Sequence, residues 1–253
     1  MKARALPVVE LAPGSRVIAD LHLDPGQRAP WSAFLDFLGR QRGVPALVVL
    51  GDLFEYWIGP AQARAGAVAE CLAALAERAL AGTAVHVVHG NRDFLLGPEF
   101  ERASGARVHA FGFVGRLASG ARLLCVHGDE FATRDKSYQR LRRVLRSRPV
   151  RALARALPGG ASAALARGLR RGSRKAVAQK SADSVELQAE AAAALATAQG
   201  AGFVVCGHAH RYRLEELAGG VSWTVLDAFG GPRDLLEVRR DSLVPGSSRA
   251  AGR

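Results

Sequence analysis

Ala46-Leu47-Val48-Val49-Leu50-Gly51-Asp52 is an apolar run that stops at a glycine and a carboxylate. So short a run, bounded by a turn residue and without polar alternation, reads as a strand buried on both faces. The same wording recurs around it. Arg16-Val17-Ile18-Ala19 leads into Asp20-Leu21-His22, Val85-His86-Val87-Val88 into Gly90-Asn91-Arg92-Asp93, Leu123-Leu124-Cys125-Val126 into His127-Gly128-Asp129, and Phe203-Val204-Val205-Cys206 into Gly207-His208-Ala209-His210. In an open α/β sheet, chemistry gathers beyond the carboxyl ends of the strands, so the five clusters are placed to converge on one point. A lone His after a strand is commonly a core or surface residue. Five such clusters in one chain make that reading untenable for the set.

Between these strands the chain alternates with helical patterns, near Trp31 to Arg40 and in an Ala-rich stretch near Ala61 to Ala81. That is the βαβ pattern of a parallel sheet covered by helices. Phe111 to Leu117 and Arg122 to Val126, joined by Ala118-Ser119-Gly120-Ala121, read as a hairpin. A helix near Ser184 to Gln199 precedes the last cluster, and Tyr212 to Leu217, Val221 to Leu226 and Leu235 to Val238 read as a terminal antiparallel set. The Ser-, Gly-, Arg- and Pro-rich tail 241–253 reads as disordered.

With 253 residues, 49% of them apolar, the chain can fill one large α/β core. Its net charge of +12 comes from one segment, because residues 134–180 hold 12 Arg and 3 Lys against the single Asp135. In Tyr138 to Leu145, the residues Tyr138, Leu141, Val144 and Leu145 share one helical face while Arg140, Arg142 and Arg143 point elsewhere. Leu153 with Leu157, and Leu165 with Leu169, make shorter stripes, and Pro149 and Pro158-Gly159-Gly160 divide the segment into short helices. The expected organisation is a core of residues 1–132 and 184–240 interrupted by a basic helical cap over 133–183. Cys71, Cys125 and Cys206 lack CxxC spacing and read as small apolar residues in a reducing cytosol. No stretch has the length of a signal peptide core or a spanning helix, so a cytoplasmic protein is expected.

Imidazole together with carboxylate suits manganese, iron, nickel or zinc, whereas an all-oxygen set would suit magnesium or calcium. Asp20, His22, Asp52, Asn91, His127, His208 and His210 exceed what one open catalytic ion uses. Two ions roughly 4 Å apart with a shared carboxylate would engage them all and clamp a phosphoryl group. No GxxxxGK[ST], GxGxxG or GxSxG is present, which argues against nucleoside-triphosphate, dinucleotide and serine-based chemistry.

The order DxH, GD, GN, H, GHxH resembles the calcineurin-like metallophosphoesterases. That resemblance implies an α/β sandwich of two sheets flanked by helices, with a dinuclear centre in which Asp20, His22 and His210 hold one ion, Asn91, His127 and His208 the other, and Asp52 bridges. Asp52, Asn91 and Arg92 are then the catalytic group. Arg92 stands where many relatives carry a His; a guanidinium is no general acid near neutrality, so its expected role is to neutralise phosphoryl charge.

Ile18 to Leu23, Gly51 to Glu55 through Trp57-Ile58-Gly59, His89 to Gly97, and His127-Gly128-Asp129 with Thr133, Asp135, Tyr138 and Gln139 are similar to the UDP-2,3-diacylglucosamine diphosphatase family of lipid A synthesis, as are Leu169-Arg170, Ser173 and Lys180. The resemblance implies hydrolysis of the substrate's pyrophosphate to UMP and 2,3-diacylglucosamine 1-phosphate, two divalent ions, manganese by family habit, and substrate contacts from Asn91, Arg92, Asp135, Ser173, Lys180 and His208. It also implies a glycolipid nucleotide as partner and peripheral attachment to the anionic inner-membrane surface. Val177, Ala209 and Asp227-Ala228-Phe229-Gly230-Gly231 depart from the family's wording. The rival readings are another metallophosphoesterase, either a nucleotide pyrophosphatase or a nuclease, and a non-catalytic scaffold. Tyr138 is the only aromatic in the basic segment, which disfavours nucleic acid as partner, and no ligand is lost, which disfavours the scaffold.

Overall fold

The computed structural model describes residues 4–57, 59–64, 66–156, 168 and 186–250. Among them, twelve strands form two six-stranded sheets. One contains β1 (Val8–Glu10), β6 (Phe113–Arg116), β7 (Arg122–Cys125), β8 (Phe203–Cys206), β10 (Val221–Val225) and β9 (Arg213–Leu217), in that order. The other runs β12 (Leu243–Gly246), β11 (Leu235–Val238), β2 (Arg16–Ile18), β3 (Ala46–Val49), β4 (Ala84–Val88) and β5 (Arg107–His109).

Every residue of β3 is buried, because the strand has a covered surface on each side. Val48 faces the other sheet, where Val17, Val88, Phe113, Leu123 and Val205 meet. Leu47 and Val49 face outward, onto α1 (Arg28–Gly39), α2 (Gly66–Leu80) and α3 (Pro98–Ser104), through Phe34, Phe37, Leu72 and Phe100. The first sheet carries α6 (Ala189–Gln199), whose Ala192 and Ala196 allow close approach to Leu124, Val204 and Trp223. The result is the expected α/β sandwich of two sheets flanked by helices.

β2, β3, β4 and β5 are mutually parallel, as the βαβ reading requires. The hairpin is present as the antiparallel pair β6 and β7. Three expectations fail. β11 does not join β9 and β10; it crosses to the second sheet and pairs antiparallel with β2. Leu236 and Val238 thereby fill the layer between the sheets while Leu235 reaches the helical face. The tail expected to be disordered contains β12, which pairs with β11, and Ser248 is buried against Asp234, the Asp234 carboxylate accepting from Ser248 N at 2.7 Å. A free strand edge supplied partners that polar composition does not advertise. The Ala-rich stretch is divided, with a 3₁₀ turn at Pro60–Arg64 ahead of α2.

In the basic segment the described helices are α4 (Lys136–Leu145) and α5 (Arg148–Ala156). As expected, Pro149 falls at the division between two short helices, where its ring stops α4 from continuing. It sits in the first turn of α5, where its missing N–H has no intrahelical partner to lose. The shared apolar face of α4 is also split: Leu141 and Val144 are exposed, and Arg142 turns inward with Arg146 to meet a buried carboxylate. Two guanidiniums paired with a buried acid outweigh the burial of two aliphatic side chains. Leu157, Leu165 and Leu169 lie outside the described residues.

Candidate metal centre

Each expected cluster follows a strand end, and the backbone there leaves ordinary geometry. Asp20, His22, Asp52, His208 and His210 have φ of 54°, 48°, 50°, 68° and 54°, and among the described residues they are the only non-glycine residues at positive φ. Left-handed backbone at a β-carbon residue costs on the order of 1 kcal/mol. Five such residues, all from the expected ligand set, mark a site whose side-chain directions are enforced by the surrounding fold.

β2 and β3 continue their ladder irregularly through these loops: Asp20 N donates to Gly51 O at 3.2 Å, His22 N to Asp52 O at 2.9 Å and Leu23 N to Leu53 O at 3.0 Å. Two glycines permit close approach. A β-carbon at Gly90 would lie 2.0 Å from Asp52 Oδ1, and one at Gly207 would lie 2.2 Å from Asp20 Oδ2.

The seven side chains come together. His22 Nε2 and His210 Nε2 are 2.9 Å apart, and Asp20 Oδ1 is 3.6 Å from His210 Nε2. His127 Nδ1 donates to Leu50 O at 2.8 Å, which turns Nε2 toward Asn91 Oδ1 at 2.9 Å, His208 Nδ1 at 3.3 Å and Asp52 Oδ2 at 3.9 Å. Asp20, His22 and His210 form one group able to hold a cation and Asp20, Asp52 and His127 a second, and Asp52 Oδ2 lies 3.8 Å from His22 Nδ1 and 3.9 Å from His127 Nε2, within reach of both sets. The arrangement fits metal. Asp20 Oδ1 is fully buried without a hydrogen bond, and the ring nitrogens of His22 and His210 face each other at 2.9 Å.

Electrostatics say the same. Burial pushes the Asp52 carboxyl up, while burial and the Arg92 charge bring His22 down to about 3. Burial and the neighbouring His127 bring His208 down to about 4. Burial opposes charge on His127, yet Asp52 and Asp20 outweigh it and raise the imidazole. Buried acids and imidazoles crowded this way share protons that a cation would displace.

Arg92 stands at the edge of the cluster. Its N–H donates to Asp52 Oδ1 at 2.9 Å, its Nε lies 3.4 Å from Asp52 Oδ2, and its guanidinium pairs with Glu55. Near it a small cleft of about 20 Å³ is lined by Asn91, Phe94, Tyr138, Arg142, Leu145 and Arg146. Asp135, expected at a substrate headgroup, caps α4, its Oδ1 accepting from Tyr138 N at 3.0 Å and from Ser137 Oγ at 2.8 Å. Ser173, Lys180 and Val177 lie outside the described residues.

A calcineurin-like phosphoesterase family model matches residues 16–212. The chain belongs to the calcineurin-like phosphoesterases. Within that family it is 38% identical to the UDP-2,3-diacylglucosamine hydrolase of Ralstonia nicotianae, over 83% of this chain and 82% of that protein. It is 40% identical to the enzyme of that name from Pseudomonas fluorescens, with coverages of 79% and 80%, and 36% identical to the one from Sodalis glossinidius, with coverages of 90% and 95%.

For a calcineurin-like phosphoesterase, the sequence motifs leave three acids without a role. Asp93 is fully buried, its Oδ1 accepting from Gly90 N at 2.8 Å and its Oδ2 from Leu53 N at 2.8 Å, so it ties together the loops of Asp52 and Asn91. Asp129 is fully buried too, its Oδ2 accepting from Tyr138 Oη at 2.7 Å, Arg142 Nε at 2.7 Å and Arg146 Nη2 at 3.1 Å. Arg146 also donates to Gly90 O at 3.0 Å. Asp129 therefore fastens α4 over two ligand loops, and the Tyr138 ring stacks near His208 at 6.4 Å. Both acids stand inside the strand-end clusters, two residues beyond Asn91 and His127. The third, Glu55, ends the Gly51-Asp52-Leu53-Phe54-Glu55 motif.

Proposed function

We propose that the protein hydrolyses the pyrophosphate of UDP-2,3-diacylglucosamine, releasing UMP and 2,3-diacylglucosamine 1-phosphate, with two divalent ions, Mn²⁺ the physiological metal. The convergence of seven O and N donors at the strand ends carries the hydrolytic half of this reading. The relatives named for that activity, similar over most of their length, carry the substrate half.

Asp20, His22 and His210 would hold one ion, and Asn91, His127 and His208 the other, with Asp52 between them. When bound, the ions polarise phosphoryl oxygens and lower the pKa of water held between them. The chain supplies the rest. Arg92 presents a positive donor at the mouth of the centre, where charge builds on phosphoryl oxygens in the transition state, and a preorganised donor of this kind accelerates by roughly 100- to 1000-fold. A guanidinium does not release a proton near neutrality, and a phosphate leaving group does not require one. By the family resemblance, Asn91, Arg92 and His208 would contact the phosphates, and Asp135, Ser173 and Lys180 the headgroup.

No helix among the described residues is long and apolar enough to cross a membrane. A peripheral attachment is supported by the outer face of α4 and α5, where exposed Leu141, Val144 and Leu153 lie among exposed Arg140 and Arg143. Each basic residue near an anionic surface adds about 1 kcal/mol.

The test is UMP release, with bound metal quantified, from UDP-diacylglucosamine beside UDP-glucosamine without acyl chains, single-stranded DNA and an aryl phosphodiester. Turnover confined to the acylated substrate is expected. Equal turnover without acyl chains would leave a general nucleotide pyrophosphatase. Vesicle flotation with and without acidic phospholipid tests the membrane half, and salt-insensitive or absent binding would reject it.

A further inference from the structure

Glu55 is an acid at the centre that the metal assignment leaves over. It is buried, with 7% of its surface exposed, and its backbone is tied into the strand-end ladder. Glu55 N donates to Leu23 O at 3.1 Å, which makes it the last rung of the ladder running through Asp20 and Asp52. The preceding ring, Phe54, is packed against Trp31, Trp57 and Phe100 with centroids at 6.1, 5.3 and 6.2 Å.

Its two oxygens face different partners. Oε1 takes the Arg92 guanidinium, and Oε2 lies 3.5 Å from His22 Nδ1. His22 Nδ1 is buried without a hydrogen bond, and its other carboxylate neighbour, Asp52 Oδ2, is farther away at 3.8 Å. Asp52 is already engaged through Arg92 N and Arg92 Nε. The Nε2 side of His22 faces His210 and Asp20, so Nδ1 is the nitrogen free to carry the proton. A histidine ligand whose second N–H meets a carboxylate is fixed in tautomer and orientation, and removal of such a partner typically weakens metal binding roughly 10- to 100-fold.

We propose that Glu55 is a positioning residue serving both halves of the centre, one carboxylate oxygen setting the tautomer of His22 and the other aiming the Arg92 guanidinium at the phosphoryl group. The inference rests on the dinuclear phosphoesterase reading. It makes metal affinity and transition-state stabilisation depend on one side chain that touches neither metal nor substrate.

Glu55→Gln separates the two roles, because it retains volume and removes the charge. Metal-free protein is titrated with Mn²⁺ by calorimetry, and kcat and KM are measured on bis(4-nitrophenyl) phosphate at saturating Mn²⁺, in wild-type and Arg92→Ala backgrounds. The tighter Mn²⁺ affinity falls roughly 10- to 100-fold in both backgrounds. In the wild-type background kcat falls while KM changes little; in Arg92→Ala the further substitution leaves kcat within about twofold, as expected for residues acting as a unit. Unchanged Mn²⁺ affinity overturns the His22 role, and equal kcat losses in the two backgrounds overturn the Arg92 role. If Glu55→Gln folds poorly by thermal melting, Glu55→Asp, which keeps the charge and shortens the reach, carries the same comparison. A wild-type chain that binds no Mn²⁺ overturns this inference together with the proposed function. Intact Mn²⁺ binding and the full Glu55 pattern, with no UMP released from the glycolipid nucleotide, support the inference and reject only the substrate.

Discussion

The strand-end loops and helix α4 are both crowded with charge and dispose of it in opposite ways. In the loops, buried Asp20, Asp52 and His127 and half-buried His22 and His208 face one another, all but His127 on strained backbone, with Asp20 Oδ1 unpaired. On α4, Arg142 and Arg146 close on Asp129 with short hydrogen bonds, and the carboxyl is held well below its usual range because those guanidiniums outweigh the burial that would raise it. The helix network balances its charge within the chain through Asp129 Oδ2, although Asp129 Oδ1 too is buried without a hydrogen bond. The loop network needs something from outside, and an unfinished charge set maintained by costly φ angles is what a cation-binding centre requires.

The largest test of that contrast is Asp52→Ala. If the loops are completed by two ions that Asp52 bridges, metal analysis should show both lost, with activity down by several orders of magnitude. Two retained equivalents and substantial turnover would erase the difference between the regions. Arg92→Ala should lower kcat by about 100- to 1000-fold with metal content intact. Unchanged kcat would make Arg92 part of the self-contained type of network.

Asp129→Ala probes the other side. It leaves two largely buried guanidiniums without their carboxylate, and removal of one partner from a buried ion network costs about 3 kcal/mol. Chemical denaturation should register that loss, with metal content near wild type. A stability change below about 0.5 kcal/mol would show that α4 is not fastened there.

The smallest effect comes from a third buried set, His86 and His109, whose Nδ1 and Nε2 are 3.1 Å apart between β4 and β5. No acid offsets their burial, which with the Arg107 charge takes both from 6.5 to about 4. The folded protein keeps them neutral, so their contribution to stability is present above about pH 6.5 and is lost as pH falls toward 4. Urea unfolding of wild type and of a His86→Gln, His109→Gln variant should converge as pH drops through that window. A constant difference would exclude the pair as a source of acid sensitivity.

Much of the centre is legible in the order of residues because its information is local. An apolar run, a turn glycine and a ligand lie side by side in the chain, and a buried strand must end where its polar residues begin. Asp20-Leu21-His22 and Gly207-His208-Ala209-His210 announce both their chemistry and their place at a strand end. Composition likewise locates the basic segment, since its Arg surplus is a property of consecutive residues.

What escapes such a reading depends on partners elsewhere in the chain. Leu235–Val238 reads as a strand by pattern, but only the packed layers decide that it joins β2 and not β10, and only its free edge makes a strand of Leu243–Gly246. Helical periodicity places Arg142 off the apolar face of α4; the fully buried Asp129 draws it inward. Glu55 looks like any acid after a strand until the fold sets His22 and Arg92 on its two oxygens. Residue type and adjacency determine which groups can do chemistry, since both are written in the covalent chain. Which groups orient one another is a matter of distances of a few ångströms between segments that are not neighbours in the chain, and those distances exist only once the sheets and helices have packed.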